Sequence, residues 1–464
     1  VGVKGFKGHG ASYAAQAAEG GAVAILTDAE GGELAADAGL PILFVENPRL
    51  ALGEIAAWVY RTREHPPLLF GTTGTNGKTS TSYLLEAVLR QLGLVTGLSS
   101  TAERHIADLT IVSRLTTPEA SEMHALLARM REVGVRAVAV EVSAQALTHH
   151  RVDGLLFDVA GFTNLSHDHL DDYADMEEYF QAKLPLFQPE SSKRAVVCLD
   201  SPYGVRVVAE ARVPVTTIAT IGHATPDDVA SADWTVEILD ASAEFTEFRL
   251  TGLGGRSLVT REPLIGWHMA ANAALGIVML VEAGFELEAI GAALDADGGI
   301  HGYLPGRTER VSGDRGPSVY VDFGHSPDAF KNTLAAVRQF TTGRTIMVFG
   351  ADGDRDASKR HEMGRVAAEG SDVLIITDHH PRFEDPASIR KTLLEGAAEA
   401  IHQPETYEVS PPEAAIIKAV SLASEGDSIL WAGPGHQDYR DIEGVRTPYS
   451  ARELARAALH EAGW

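Results

Sequence analysis

"LLFGTTGTNGKTSTSYLLEAV", residues 68–88, decides the reading of this chain. An apolar run, a glycine-rich turn and a helical pattern follow one another there, which is the context a phosphate cradle needs. Gly74 and Gly77 let backbone amides come close to phosphate oxygens, with Thr75, Asn76 and Ser80 filling out the turn and the first helical residues. The helix N-terminus adds partial positive charge. Lys78 is placed to hold β- and γ-phosphates and Thr79 to ligate Mg²⁺. The spacing departs from the ordinary phosphate loop: the position five before Gly77 is Thr72, and Gly71 sits one place earlier.

Outward from this loop, apolar strand-like runs alternate with helical patterns from end to end, among them "AVAILTD", "VRAVAVEVS", "TIMVFGA", "DVLIITD" and "SILWAGP". The pattern predicts α/β domains with largely parallel sheets. Residues 205–262 differ, with consecutive strand signals that predict a small antiparallel patch. A proline-containing polar link at 62–67 and a glycine-rich link at 298–311 divide the 464 residues into domains 1–66, 67–305 and 306–464. No window approaches the ~20 apolar residues of a membrane span. A net charge of −25 argues against nucleic acid and anionic membranes as partners, so a phosphate ligand needs local cations. The lone Cys198, in the buried-looking run "RAVVCLD", excludes an internal disulfide and fits a cytoplasmic enzyme. The chain opens on Val1 as if an element were already under way, so upstream residues are expected to be missing.

A second carboxylate signal stands in "VAVEVSAQALTHHRV", where Glu141 ends a strand, at the ligand edge of a parallel sheet. The "GTTGTNGKTST" variant resembles the ATP loop of the Mur ligases, a family that includes folylpolyglutamate synthases and works through an acyl phosphate. The Glu141 segment resembles the family's "EVSSHAL", which implies Mg²⁺ binding by Glu141, contact of Ser143 and Arg151 with a nucleotide-peptide substrate, and His149 nearby; Ala144 and Gln145 depart from the pattern. "FTNLSHDHLDDYADMEEYFQAKLPLF" is similar to "TNLxxDHLDxH…Y…AK". That similarity makes His169 a metal ligand and Lys183 a carbamylated lysine that binds a second Mg²⁺. The carboxylates Asp168, Asp171, Asp172 and Asp175 suit a cation site, with helix capping the other reading for Asp168. Lys78, Glu141, His169 and Lys183 are thus the expected catalytic set. The resemblance further implies adenine contact by Asn272 (Met269 replaces a second asparagine), phosphate contact by Arg307 in "LPGRTERV", and ribose and phosphate contacts by Asp322 and His325 in "YVDFGHSPDAFKNTL".

Nearer the C-terminus, "VFGADGDRDASKRHEMG" is similar to the family's "GxGGDRDxxKRxxM", while "DHHPRFEDPASIR" and "ILWAGPGHQDYR" resemble "DNPRxEDPxxI" and "AGKGHExYQ" of the MurE-type tripeptide ligases. "LTTPEA", with Thr116 and Thr117, resembles their substrate loop, and "VGVKGFKGHGASY" the end of their UDP-binding strand. The expected architecture is three-domain, with a central P-loop ATPase-like parallel sheet and a C-terminal Rossmann-like domain. The expected activity is ATP-dependent addition of the third amino acid to UDP-N-acetylmuramoyl-L-alanyl-D-glutamate by a monomer; the alternatives are a paralogue of specialised metabolism acting on another carboxylate and a nucleotide-binding protein without ligase activity. Arg355, His379, His380, Arg382, Gly433 and Gln437 fall in the amino-acid-binding motifs. Because His379 and Gln437 replace acidic residues of the diaminopimelate pattern, meso-diaminopimelate is not expected to be preferred, and a small or non-cationic amino acid is. A carboxylate restored by Asp378 or Glu384 would readmit lysine, ornithine or diaminobutyrate.

Overall fold

The computed structural model describes residues 1–5 and 8–464. The near-continuous apolar runs form strands buried on both faces, as parallel sheets require. An 11-stranded sheet dominates the middle of the chain. Its centre is parallel and runs Ala195–Cys198, Val159–Phe162, Leu68–Thr73, Ala137–Glu141, Thr96–Ser99. Helices Lys78–Gln91 and Trp267–Glu282 pack on each other and on one face of this sheet, burying nearly every side chain between Thr79 and Leu89. Met123, Leu127, Phe157, Phe180 and Phe187 fill the other face.

The antiparallel strands expected within 205–262 are present but are not a separate patch. Val215–Thr220 pairs in parallel with both Ala195–Cys198 and Trp234–Ala241. Thr246–Gly252 and Ser257–Glu262 then continue the same sheet antiparallel to its edge. Thr246–Gly252 alternates buried and half-buried residues, the mark of a strand with one covered face. Cys198 is buried at the end of its strand, as its apolar surroundings predict.

A second sheet, of six strands, is parallel except for its edge strand Glu309–Arg310. Ser318–Asp322, Ser428–Ala432, Thr345–Phe349 and Val373–Ile376 lie side by side with their carboxyl ends together. Ligands of open α/β sheets bind at that end. Before the central sheet, a two-stranded parallel pair, Ile25–Thr27 with Ile42–Phe44, lies alongside helix Ala29–Ala35, while helix Pro48–Tyr60 packs on helix Ala120–Glu132 of the central layer. Gly2 bonds to this pair through Leu26 O and Thr27 Oγ1. Phe6 and Lys7, within the stretch that resembles a UDP-binding loop, lie outside the described residues. No helix among the described residues is long and apolar enough to cross a membrane.

Candidate active site

The loop after Leu68–Thr73 is shaped by its glycines. Gly77 has φ +88° and stands at the N-terminus of Lys78–Gln91, and a Cβ there would meet Asn272 Oδ1 at 2.4 Å. Backbone freedom and close approach thus both demand glycine. Lys78 turns back over the loop, donating to Gly74 O at 2.9 Å and Thr75 O at 2.8 Å. Burial lowers its pKa, against the opposing pull of Glu141 and Asp168. Arg307 Nη2 donates to Thr79 Oγ1 at 2.7 Å and its guanidinium lies 4.3 Å over the Phe323 ring. These cations form the local positive field that a chain of net charge −25 needs for a phosphate ligand.

Glu141 ends its strand and is fully buried. Thr101 holds both of its oxygens, the amide at 3.1 Å and the hydroxyl at 2.8 Å. Lys183 is also buried, not a surface helix lysine. Its Nζ donates to Gly74 O at 3.0 Å and lies 4.3 Å from the Tyr179 ring centroid. Burial, with Lys78 adding to it, lowers the Lys183 amine well below the ordinary lysine range. His169, on a left-handed backbone of φ +59°, is pushed down to about 4 by burial despite Asp168 beside it, so its imidazole is neutral at pH 7. Gln145 Nε2 reaches His169 Nδ1 at 3.1 Å.

Asp168 caps no helix. It faces Lys359 of the C-terminal layer at 2.5 Å and His325 at 3.6 Å. Asn76 adds contacts to Ser326 and Asp328, and Leu170 N donates to Asp356 at 3.3 Å. The two sheets therefore meet across the loop, around a cleft of about 2000 Å³.

The structure brings most residues named from the sequence to this cleft. Thr75, Asn76, Gly77, Lys78, Thr79, Ser80, Thr116, Glu141, Ser143, His149, Arg151, His169, Asn272, Arg307, Asp322, His325, Arg355, His379, Arg382, Gly433 and Gln437 line it. Gly74, Thr117, Lys183 and His380 do not; they stand behind it. Thr117 is buried, and its hydroxyl donates to Glu141 O at 2.7 Å and accepts from Ser143 N, so it braces the wall instead of reaching a substrate. His380 accepts from Asp441 N at Nδ1 and bonds Gln437 Oε1 from Nε2. Asp175 caps helix Met176–Gln181 and is no part of a cation site. Arg151 is paired with Glu119 at 3.1 Å, Ser143 caps Ala144–Thr148, and Asp322 accepts from Thr308 N and Gly324 N.

The amino-acid end departs most from expectation. His379 and His380 are buried with ring centroids 4.2 Å apart. Burial first, then His380, pushes His379 down to about 3. Neither carboxylate expected to swing in is free. Asp378 is held by Arg390 and by Ser410 Oγ at 2.5 Å, and Glu384 takes Arg360 bidentately at 2.6 and 2.7 Å. The pocket nonetheless contains an acid that the motif reading passed over. Asp352, at a position where "GxGGDRD" has glycine, puts Oδ1 3.7 Å from His379 Nε2 and Oδ2 3.8 Å from Arg382 Nη2. The premise of a pocket without an anion therefore fails. Comparing "GADGDRD" with the motif letter by letter was the signal that could have found it; Lys359 stands at the lysine of the same motif and was passed over, while Thr101 carried no signal.

Such a pair of parallel sheets, with a phosphate loop on one and a walled pocket on the other, is the layout of an enzyme that brings two substrates together across a domain cleft. The family model described as Mur ligase middle domain matches residues 72–280, and that described as Mur ligase, glutamate ligase domain matches 306–435. The UDP-N-acetylmuramyl-tripeptide synthetase of Leifsonia xyli subsp. xyli is 61% identical over 464 residues, covering 100% of this chain and 89% of that protein. A UDP-N-acetylmuramoyl-L-alanyl-D-glutamate–2,6-diaminopimelate ligase of Streptomyces avermitilis is 43% identical, over 98% of this chain and 88% of its own. Among solved structures, a ligase of that same name superposes with TM-score 0.63 at 26% identity, covering 95% and 92% of the two chains. MurF from Acinetobacter baumannii shares the fold with TM-score 0.68 at 18% identity, over 99% and 90%. The chain belongs to the Mur ligase family, and these relatives include its MurE-type tripeptide ligases.

Proposed function

We propose that this chain is an ATP-dependent ligase that joins the third amino acid to UDP-N-acetylmuramoyl-L-alanyl-D-glutamate in peptidoglycan synthesis, releasing ADP and phosphate. The observation that carries the reading is the convergence of Lys78, Arg307, Glu141 and Lys183 on one glycine-shaped loop beside a second, walled pocket. Residues 1–66 would bind the UDP moiety, 67–305 ATP, and 306–464 the amino acid. The relatives' tripeptide chemistry supports this over a paralogue of specialised metabolism.

In this reading the substrate carboxylate attacks the γ-phosphate, ADP leaves, and the amine of the amino acid displaces phosphate from the acyl phosphate. Lys78 and Arg307 offset the charge that gathers during transfer. Asn272, against the loop, faces adenine; Asp322 and His325 face ribose and phosphate; Thr116, Ser143, His149 and Arg151 line the path of the UDP-dipeptide. The oxygen donors Thr79 and Glu141 fit Mg²⁺, because each keeps a lone pair beyond its present hydrogen bond. Bound there, Mg²⁺ would supply charge neutralisation between two anions. His169, whose ligand atom lies within 4.8 Å of those of Asp171 and Asp172, would offer a donor set of its own. Burial, with Lys78 adding to it, disfavours the ammonium form of Lys183 and so favours the free amine, which would attack CO₂ and become a carbamate anion with loss of one proton.

The test is phosphate release from ATP with purified UDP-dipeptide and a panel of amino acids. Release that needs both the UDP-dipeptide and an amino acid supports the proposal; ATP turnover unaffected by the UDP-dipeptide overturns it.

A further inference from the structure

Four strands end the two large sheets, and three of them are guarded. Helix Leu287–Asp297 packs on Ser257–Glu262. Glu309–Arg310 is wholly charged, and Glu405–Glu408 carries a glutamate at each end. Covering helices and charges of this kind keep an open edge from pairing with another chain. Leu109–Val112, the fourth, reads Leu-Thr-Ile-Val, and all of its residues are exposed. Its free backbone groups follow from its register. Ser113 N donates to Ala102 O at 3.1 Å, in line with the partners Arg104 and Ile111, Ile106 and Leu109. Along an antiparallel ladder, hydrogen-bonded pairs alternate with non-bonded ones. Leu109, Ile111 and Ser113 therefore bond inward, toward Glu103–Ile106, and Thr110 and Val112 turn their N–H and C=O outward. No strand among the described residues takes these outward groups.

We infer that this edge joins a second copy of the chain, the two Leu109–Val112 strands pairing antiparallel about a two-fold axis at Ile111. In that register Thr110 of each copy lies opposite Val112 of the other, and every outward N–H and C=O finds a partner. A slip of one residue sets outward groups against inward ones and loses them. Charge selects the same register. Asp108 and Arg114 stand just beyond the two ends of the strand, both exposed and without an ion-pair partner among the described residues. Pairing about Ile111 puts Asp108 of each copy opposite Arg114 of the other, so both charges are matched on both sides of the axis. Ile111 meets its own copy at a non-bonded position, where facing side chains come closest. A two-fold contact must be complementary to itself, and this strand is. The strand of an unrelated partner gains the backbone bonds, but a copy of this one also brings each charge at the matching distance from the axis. A net charge of −25 sets the copies against each other at long range. The contact is also short, below the ~1,200 Å² of stable interfaces. The pairing is therefore weak and reversible, where a monomer was expected from the sequence.

The experiment is analytical ultracentrifugation of the full chain over a concentration series. A reversible dimer with Kd on the order of 10 to 100 µM is expected. Asp108→Arg or Arg114→Asp alone sets like charges opposite each other and should raise Kd at least about 10-fold, while the double exchange should restore it. Thr110→Pro removes an N–H that faces outward and spares the bonds to Glu103–Ile106, as an edge position allows, and should raise Kd by about 10-fold or more. A chain that stays monomeric through the series overturns the inference. So does a dimer that Thr110→Pro leaves untouched, or one for which the double exchange is no better than either single change. The charge exchanges, at exposed positions, decide even if the proline variant fails to fold. None of these outcomes bears on the ligase reading, which phosphate release tests separately.

Discussion

The two walls of the cleft are built on different principles. On the central sheet, the reactive groups are fixed by backbone: Lys78 and Lys183 both donate to Gly74 O, Glu141 is held by the Thr101 amide and hydroxyl, and Gly77 leaves no room for a side chain. On the C-terminal sheet, the pocket adds to its backbone contacts a network of side chains leaning on side chains: His380 on Gln437, His379 and Arg382 on Asp352. Backbone-held groups tolerate little change, whereas a side-chain network can be rewritten one member at a time. Chemistry common to a family belongs on the first wall and selectivity on the second.

This contrast can be broken experimentally, and the largest effect sits on the first wall. Lys78→Ala should lower turnover by at least about 10³-fold, and equally for every amino acid; circular dichroism must show the fold retained, since Lys78 also braces its loop. A loss confined to some amino acids would erase the distinction between the walls. Next, Lys183→Ala should cost on the order of 10²-fold, again without regard to amino acid. A mass gain of one carbamate on Lys183 in the presence of bicarbonate, with nucleotide and Mg²⁺ bound, is the direct readout; an unmodified Lys183 under those conditions contradicts it.

On the second wall the effect should be smaller and selective. Gln437→Ala removes the partner of His380 Nε2. It should raise the amino-acid KM by roughly 3- to 10-fold, with the KM for ATP unmoved, and a change in the latter would show the walls to be coupled. The smallest effect is that of His105, on strand Glu103–Ile106 of the central sheet, beside the cleft and not lining it. Burial opposes charge on His105, but hydrogen bonds to Glu103 and Glu86 prevail and raise it from 6.5 to about 9. A raised folded pKa gives stability that is complete below the unfolded value near 6.5 and is lost as pH rises through about 9. The melting temperature should therefore decline between those pH values, and His105→Gln should flatten the decline.

The difference between the walls also explains what the sequence could tell. The loop was legible because its requirements are local: Gly77, Lys78 and Thr79 are consecutive, and a strand and helix flank them. Glu141 was legible as a carboxylate at a strand end. Lys183 could be named only through resemblance, because its burial depends on Tyr179 and on the loop carbonyl more than 100 positions earlier. Thr117 and His380 were assigned to substrates because motif position says nothing about which way a side chain turns. The antiparallel strands were legible one by one, but their attachment to the main sheet rests on the pairing of Val215–Thr220 with Ala195–Cys198, a long-range register no periodicity carries. Asp352 was missed because attention went to acids lost from the motif and not to one gained.

Asp168 joins the two walls, and its environment decides what can part them. Burial works against its charge, yet His169, His325 and Lys359 outweigh it and hold the carboxyl well below the usual carboxylate range. Protonating it therefore takes stronger acid than an ordinary carboxylate needs. With both Asp168 and Lys359 nearly inaccessible to water, dissolved salt screens the pair only weakly. An anion delivered to Lys359 and His325 would compete with Asp168 for the same cations, so the clasp between the halves of the molecule sits where an occupant of the cleft can reach it and bulk salt cannot.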